Sequence, residues 1–376
     1  MSTECEHGLE LTPEFAKLKY ELTFWARLQK FPLAATFEIT PLCNLRCPMC
    51  YVRLDPACMA RQGKLMSASQ WLEIARQSRD MGTLFVTLTG GEPFLHPEFW
   101  DIYNGMTELG LLTGIYTNGC MIDEKVVEKL KANPPHNIKV SIYGASDETY
   151  EKMCGVKNGF TRVSHAIKLL QEAGLPFFCT CTMVHENIHD IPALYRYAAE
   201  HNVKFFHTSS VTLSARGALA DPLSSRTTVA EQGWILSDLE SHKRPWKPEP
   251  FAFCAGYGIT YFMTWHGRMQ FCGFTPTHYV QLQEPMDIKA TWDDMLKVTG
   301  EIRTPEECEA CEHNAFCMRC PGLLASESGD PSRISETFCR RAIELHALYD
   351  KLKAEEARSH EKVGAVHASL EENGSA

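Results

Sequence analysis

Six times between residues 34 and 208, a short run of β-branched or aromatic residues gives way to a segment of helical period, and this alternation constrains the fold more than anything else in the chain. Strands are predicted at 34–39, 84–88, 113–117, 137–142, 177–184 and 203–208, and helices at 67–81, 97–109, 123–131, 160–173 and 188–200. Several helices open with Ser, Asp or Pro at capping positions. Strand–helix repeats of this kind pair their strands in parallel with helices outside, and a strand covered on both faces carries a nearly unbroken apolar run. The expected fold class is therefore α/β, a partial (β/α)6 TIM-like barrel over residues 33–210. In such barrels functional groups gather in the loops after the strands' C-terminal ends, so motifs at those points carry extra weight.

The rest of the chain divides by composition. Residues 1–32 form an N-terminal extension. Residues 211–250 read as a polar, turn-rich connection with one helix at 229–241. Residues 251–341 form a smaller loop-rich domain, too poor in apolar periodicity to rely on a large core, so bound metal is the expected staple. Residues 342–376 read as a helix that frays, from about Ala354, into a charged and disordered tail. No apolar run approaches the roughly 18 residues of a membrane span, and the opening MSTECEHGLE has no signal region. A soluble, cytoplasmic protein is expected, with no membrane partner. A net charge of −10, from 37 basic and 47 acidic residues, argues against nucleic acid. Sixteen cysteines remain to be explained. Disulfides would need an oxidising compartment that nothing in the sequence indicates, which leaves metal as their use.

Cys43, Cys47 and Cys50, in TPLCNLRCPMCY, directly follow the first predicted strand. Three thiolates on one loop can hold three irons of a cubane cluster and leave the fourth iron open to an exogenous ligand. The alternatives are three buried cysteines or a partial zinc site, for which the loop offers no fourth ligand. After the second strand comes TGGEP, residues 89–93. There Gly90 and Gly91 let a ligand approach the backbone, and Glu92 offers an acceptor to a ligand ammonium.

CNLRCPMCY, the GGEP motif and the six βα units together resemble the radical S-adenosylmethionine (radical SAM) superfamily, whose CxxxCxxC spacing is reproduced here. The resemblance implies an oxidoreductase with a [4Fe-4S] cluster on Cys43, Cys47 and Cys50. SAM would be chelated at the open iron, with Gly90, Gly91 and Glu92 at its amino group. Reductive cleavage would then give methionine and a 5′-deoxyadenosyl radical that abstracts a substrate hydrogen. It further implies that Asn118 in YTNG and Ser141 in KVSIYG contact SAM, the alternative for each being ordinary turn or strand polarity, and that an electron donor such as flavodoxin or ferredoxin serves the cluster. Met49 stands where the family usually has an aromatic residue or His.

A second cysteine series runs Cys254, Gly267, Cys272, Cys308, Cys311, Cys317, Cys320 and Cys339. Two CxxC pairs within it have the spacing of a zinc knuckle, which would use only four of the seven cysteines. The whole series resembles the SPASM domain, except that two residues rather than three separate Cys317 from Cys320. That resemblance implies an inner auxiliary cluster on Cys254, Cys272 and Cys320 and an outer one on Cys308, Cys311, Cys317 and Cys339, three [4Fe-4S] clusters in all. The inner set lacks a fourth thiolate, so Tyr257, His266, a further cysteine, a substrate cysteine, water or a small thiol would complete it. Cys179 and Cys181, two apart in a strand, share a face and are expected as small buried hydrophobes, with the barrel interior the alternative. Cys120 and Cys154 are candidates to reach the substrate.

SPASM enzymes commonly act on peptides or proteins, so the expected activity is the oxidative maturation of a ribosomal peptide through a thioether or carbon–carbon crosslink. Gly273 and Phe274 follow Cys272 where formylglycine-forming members carry an Asp base, which lowers the sulfatase-maturing alternative and leaves the general base unassigned. About 32 residues precede the first strand, too few for the usual leader-binding module, so leader recognition is expected from a separate protein or from the barrel. The further alternatives are a small-molecule radical SAM dehydrogenase and, from another class, a non-catalytic zinc-stabilised binding protein.

Overall fold

The computed structural model describes residues 12–213, 215–217, 221–233 and 243–373, as backbone alone at 357 and 359–373. Its strands are β1 (Ala34–Thr40), β2 (Phe85–Gly90), β3 (Leu112–Thr117), β4 (Asn137–Ser141), β5 (Phe177–Thr182), β6 (Phe205–Thr208), β7 (Thr260–Met263), β8 (Arg268–Gln270) and β9 (Tyr279–Gln281). Its helices are α1 (Pro13–Gln29), α2 (Pro56–Gln62), α3 (Ala68–Asp80), α4 (Phe99–Glu108), α5 (Glu124–Ala132), α6 (Asp147–Cys154), α7 (Gly159–Glu172), α8 (Ile191–Glu200), α9 (Val229–Gln232), α10 (Ile288–Gly300), α11 (Pro321–Ser328) and α12 (Glu336–Asn373). One open sheet runs β6-β5-β4-β3-β2-β1-β7-β8-β9, parallel from β6 through β7 and antiparallel beyond. The expected α/β partial barrel is present, and all six predicted strands and five predicted helices form.

The helices start where their caps dictate. Ser67 and Gln70 close a capping box on α3, and the Asp123 carboxylate accepts the Val126 N–H at the start of α5. Each helix then lays an apolar stripe on the sheet. Trp71 of α3 packs 5.2 Å from Phe37 of β1, both fully buried. Losing either ring would cost about 3–5 kcal/mol.

Burial on both faces holds at the end of β1, where Phe37, Glu38, Ile39 and Thr40 are all buried, but not along every strand. Phe37 and Ile39, Val86 and Leu88, Ile138 and Val140, and Cys179 and Cys181 are buried against the helices. The register puts Glu38, Thr89, Lys139, Ser141, Phe178, Thr180 and Phe206 on the opposite, concave face. Several of these are only partly covered. The apolar runs are thus interrupted by polar residues that face an interior cleft. Cys179 and Cys181 are core residues on the helical side, as the small-hydrophobe reading expects.

The sheet also crosses the expected boundary at 251, because β7 pairs in parallel with β1 and β8–β9 extend it. These strands are three or four residues long, too short to show alternation in sequence. The N-terminal extension forms α1, whose period is blurred because Leu18, Tyr20, Phe24, Trp25 and Leu28 are exposed. From α1, Arg27 donates to the Ala255 carbonyl at 2.7 Å, beside Cys254. The helix expected at 229–241 is observed as Val229–Gln232, and residues 234–242 lie outside the described residues, as does Cys5. α12 continues to Asn373, past the point where composition suggests fraying. Among the described residues no helix is long and apolar enough to cross a membrane.

Candidate active site

At the C-terminal end of β1 the chain enters a loop that the Leu54 N–H closes onto the Pro41 carbonyl at 3.0 Å. This loop carries Cys43, Cys47 and Cys50. Two of the three sulfurs already accept backbone N–H groups, Cys43 from Leu45 at 3.4 Å and Cys50 from Arg53 at 3.3 Å. Such donors favour the anionic sulfur of a cluster ligand. The Cys47 sulfur lies 3.4 Å from that of Cys154, the buried last residue of α6. Cys154 therefore backs the cysteine loop, and its backbone carbonyl also accepts the Arg46 N–H at 2.8 Å.

The end of β2 is stitched to the same loop. Gly91 N–H donates to Thr40 and Glu92 N–H to Leu42, each at 2.8 Å. A Cβ on Gly90 would stand 2.3 Å from the Thr40 carbonyl oxygen, and one on Gly91 would stand 2.3 Å from that of Leu42. The close approach that these glycines permit is thus that of the cysteine loop itself, where the sequence suggested a ligand.

Glu92 is wholly buried beneath the loop. Its carboxylate accepts the Thr117 hydroxyl at 2.8 Å, the Asn118 N–H at 2.8 Å and the Phe94 N–H at 3.3 Å. Burial nevertheless pushes the carboxyl up to about 7. Asn118 turns its side-chain amide to the Asn44 carbonyl oxygen at 2.7 Å and toward the Cys43 sulfur at 3.7 Å, so it too fixes the loop. Ser141 ends β4 on the concave face.

Burial raises the thiols of Cys43 and Cys50, and the Cys154 contact followed by burial raises that of Cys47. Cys43 also feels Glu92, Cys50 and Cys47. Three sequestered thiols and a carboxyl held together in this way suit a cationic group that would discharge their protons. Among the described residues no three His, Cys, Asp or Glu side chains converge on a single ion. A cubane binds each thiolate at a separate iron and needs no such convergence.

The seven C-terminal cysteines separate into three and four. Burial pushes the Cys272 thiol up to about 12, with Cys320 and Cys254 adding to the shift, and Cys254 in turn feels Cys320. Gly267, at φ +84°, makes the turn between β7 and β8, and Cys272 follows at the far end of β8. Cys308, Cys311, Cys317 and Cys339 line one cavity of about 100 Å³. Cys320 does not line this cavity and instead bears on Cys254 and Cys272. Of the suggested fourth ligands to the inner set, Tyr257 meets Cys254 through its backbone, its ring stacked on Phe251 at 3.7 Å. His266 sits in the turn at the other end of β8. Cys120 is buried, and Cys58, on α2, accepts from Arg61 at 2.9 Å.

Two residues that sequence reasoning missed join the sites. Glu38 of β1 and Arg216, 178 positions later, form a buried bidentate pair. The Arg216 backbone accepts from Gln62 at 2.9 Å, while Ala215 N–H donates to Tyr51, the residue after Cys50, at 2.9 Å. The Tyr51 ring meets that of Phe274, two residues after Cys272, edge-on at 5.0 Å. Phe274, noted in sequence only because it is not an acid, thus bridges the two cysteine loops.

A family model described as Radical SAM superfamily matches residues 37–198. An AdoMet-dependent heme synthase of Methanosarcina barkeri is 24% identical over 332 residues, 80% of this chain and 94% of the relative. A PqqA peptide cyclase of Gluconobacter oxydans is 26% identical over 169 residues, 45% of this chain and 46% of the relative, so the chain spans under half the cyclase's length. Among solved structures, SuiB of Streptococcus suis bound to precursor peptide SuiA aligns with a TM-score of 0.64 at 16% identity, covering 90% of this chain and 84% of that one.

Proposed function

A radical SAM superfamily domain occupies residues 37–198 of this enzyme, and from that premise we propose that it cleaves SAM at the Cys43–Cys47–Cys50 loop and oxidatively crosslinks a peptide substrate. The observation that carries this reading is the cysteine loop seated on Gly90–Glu92, with a buried carboxyl beneath three thiols. The family implies a [4Fe-4S] cluster and SAM. When bound and reduced, that cluster supplies the electron that splits SAM into methionine and the 5′-deoxyadenosyl radical.

In this reading Cys43, Cys47 and Cys50 would each hold one iron, and the backbone donors from Leu45 and Arg53 would stabilise the sulfurs of Cys43 and Cys50. Glu92, driven toward neutrality by burial, ionises when an ammonium arrives and holds it, with Gly90 and Gly91 fixing the height of the loop. Asn118 and Ser141 bind the cosubstrate's polar groups from β3 and β4. Cys254, Cys272 and Cys320, and separately Cys308, Cys311, Cys317 and Cys339, would hold two auxiliary clusters. Forming a crosslink removes two hydrogens from the substrate, one as an atom and the other as a proton plus an electron. Auxiliary clusters held by these two ligand sets would accept that electron.

A peptide substrate is supported by the peptide cyclase among the relatives and by the fold shared with a protein solved on its precursor peptide. A second reading, radical chemistry on a small molecule, is favoured by the heme synthase, which is matched over 94% of its length. Metal analysis of anaerobically purified protein tests the cofactor side. Three cubanes predict roughly twelve irons per chain and broad visible absorbance, whereas zinc without iron would overturn the reading. Co-expression with a candidate precursor peptide tests the substrate side, through a mass loss of two hydrogens per crosslink.

A further inference from the structure

The concave face of the sheet holds a cation without an acidic partner. Lys139, in the middle of β4, points away from the helices, because its neighbours Ile138 and Val140 are fully buried on the other side. Its ammonium lies 3.6 Å from the centre of the Tyr116 ring on β3. The register places Phe178 of β5 beside it and Ser141 two residues nearer the barrel mouth. Phe206, on the adjacent edge strand, meets Phe178 at 6.1 Å and is itself exposed.

No carboxylate answers this charge among the described residues. Glu38, on the same face, is held at two points by Arg216, and Glu92 is engaged by Thr117, Asn118 and Phe94. Burial draws the Lys139 ammonium down to about 8, with no opposing pull from a nearby acid. A cation held over an aromatic ring in a partly dry cleft is compensated only in part by that ring. An arriving anion would supply the rest, at low local dielectric and with a charge-assisted hydrogen bond.

We propose that Lys139 is a specificity residue that receives a carboxylate of the substrate, with Tyr116, Phe178 and Phe206 covering an apolar or aromatic group next to it. The inference rests on the proposed SAM chemistry, takes the concave face that Lys139 shares with Ser141 as the substrate cleft, and names the kind of group that cleft selects. A peptide would bring the carboxylate on an acidic side chain near an aromatic residue, and a small molecule would bring its own.

Equilibrium dialysis against the anaerobic holoenzyme with SAM tests this without turnover. The probes are two matched pairs, 3-phenylpropionate with 3-phenylpropionamide, and acetyl-Phe-Glu-amide with acetyl-Phe-Gln-amide. The acid of at least one pair should bind about 5- to 10-fold more tightly than its amide, the ratio expected when a neutral hydrogen bond becomes a charge-assisted one. Which pair shows the larger ratio separates a peptide from a small-molecule source. Lys139→Met should bring the acid to the level of the amide, and Lys139→Arg should keep the preference. Equal binding of acid and amide, no binding of any probe, or a preference that survives Lys139→Met would each overturn the proposal. The parent protein's conversion of SAM to 5′-deoxyadenosine is measured separately, so the cleft assignment can fail while the radical chemistry stands.

Discussion

Glu38 and Arg216 meet in two hydrogen bonds, Nε to Oε1 at 2.8 Å and Nη2 to Oε2 at 2.6 Å, with side chains 0% and 2% exposed. Besides Glu38, the guanidinium feels Tyr51, the residue after Cys50, and Cys272. Burial pushes the Glu38 carboxyl up, and the Arg216 charge opposes it. Either member alone would be a buried charge without compensation. Arg216→Met or Glu38→Leu is expected to destabilise by about 3–5 kcal/mol, while the double change recovers most of that loss. Denaturant unfolding of the three variants checks it, and additive single effects would contradict the pairing.

Gly90 and Gly91 are expected to tolerate no side chain. Alanine at either would push a methyl into a loop carbonyl that cannot yield without shifting the cysteines. Each substitution should cost about 1–3 kcal/mol and lower the iron retained after reconstitution. Alanine at Gly110 meets no neighbouring atom within 4 Å but sits at φ +80°, so it should lose stability through backbone strain while iron retention stays intact.

Glu92 makes the metal-free protein sensitive to pH in a defined window. Its carboxyl rises from 4.5 to about 7 on folding, so folding favours its protonated form. That contribution is fully present below pH 4.5 and is lost as pH climbs through 7. The loss is on the order of 3 kcal/mol. The difference in unfolding free energy between parent and Glu92→Gln, measured from pH 4.5 to 8, should drift against the parent as pH rises. A flat difference would contradict the assignment.

The two classes of cysteine should separate functionally. Cys47→Ala is expected to abolish 5′-deoxyadenosine formation. Cys311→Ala should lose about four irons and substrate turnover yet retain some uncoupled SAM cleavage. Iron quantification and product chromatography on the same preparations check both, and parental behaviour of Cys311→Ala would remove the outer auxiliary ligand set.

What the sequence made legible was local. Cys43, Cys47 and Cys50 lie within eight residues, and the strands before Cys43 and Gly90 announced themselves by β-branched runs, so the spacing carried the geometry. The division of the C-terminal cysteines into three and four was reachable only through a family resemblance, since two CxxC pairs read equally well as a knuckle. Pairings made across the fold were hidden. Glu38 and Arg216 are 178 residues apart, and Arg27 and Ala255 are 228 apart. Nothing in the local pattern of KVSIYG says that Lys139 faces a cleft, because the face a strand residue takes follows from its neighbours' register. The glycine pair was found for its flexibility, yet only the folded loop reveals that the approaching atoms belong to Thr40 and Leu42.

The central claim is that the Cys43 loop over Glu92 generates a radical from SAM. The most direct test is the anaerobic incubation of iron-loaded protein with SAM and dithionite, quantifying 5′-deoxyadenosine and methionine. The account predicts both products in equal amounts from the parent and neither from the Cys43→Ala, Cys47→Ala and Cys50→Ala variants. A fully iron-loaded parent that leaves SAM intact, or any of these variants that still cleaves it, would contradict the claim.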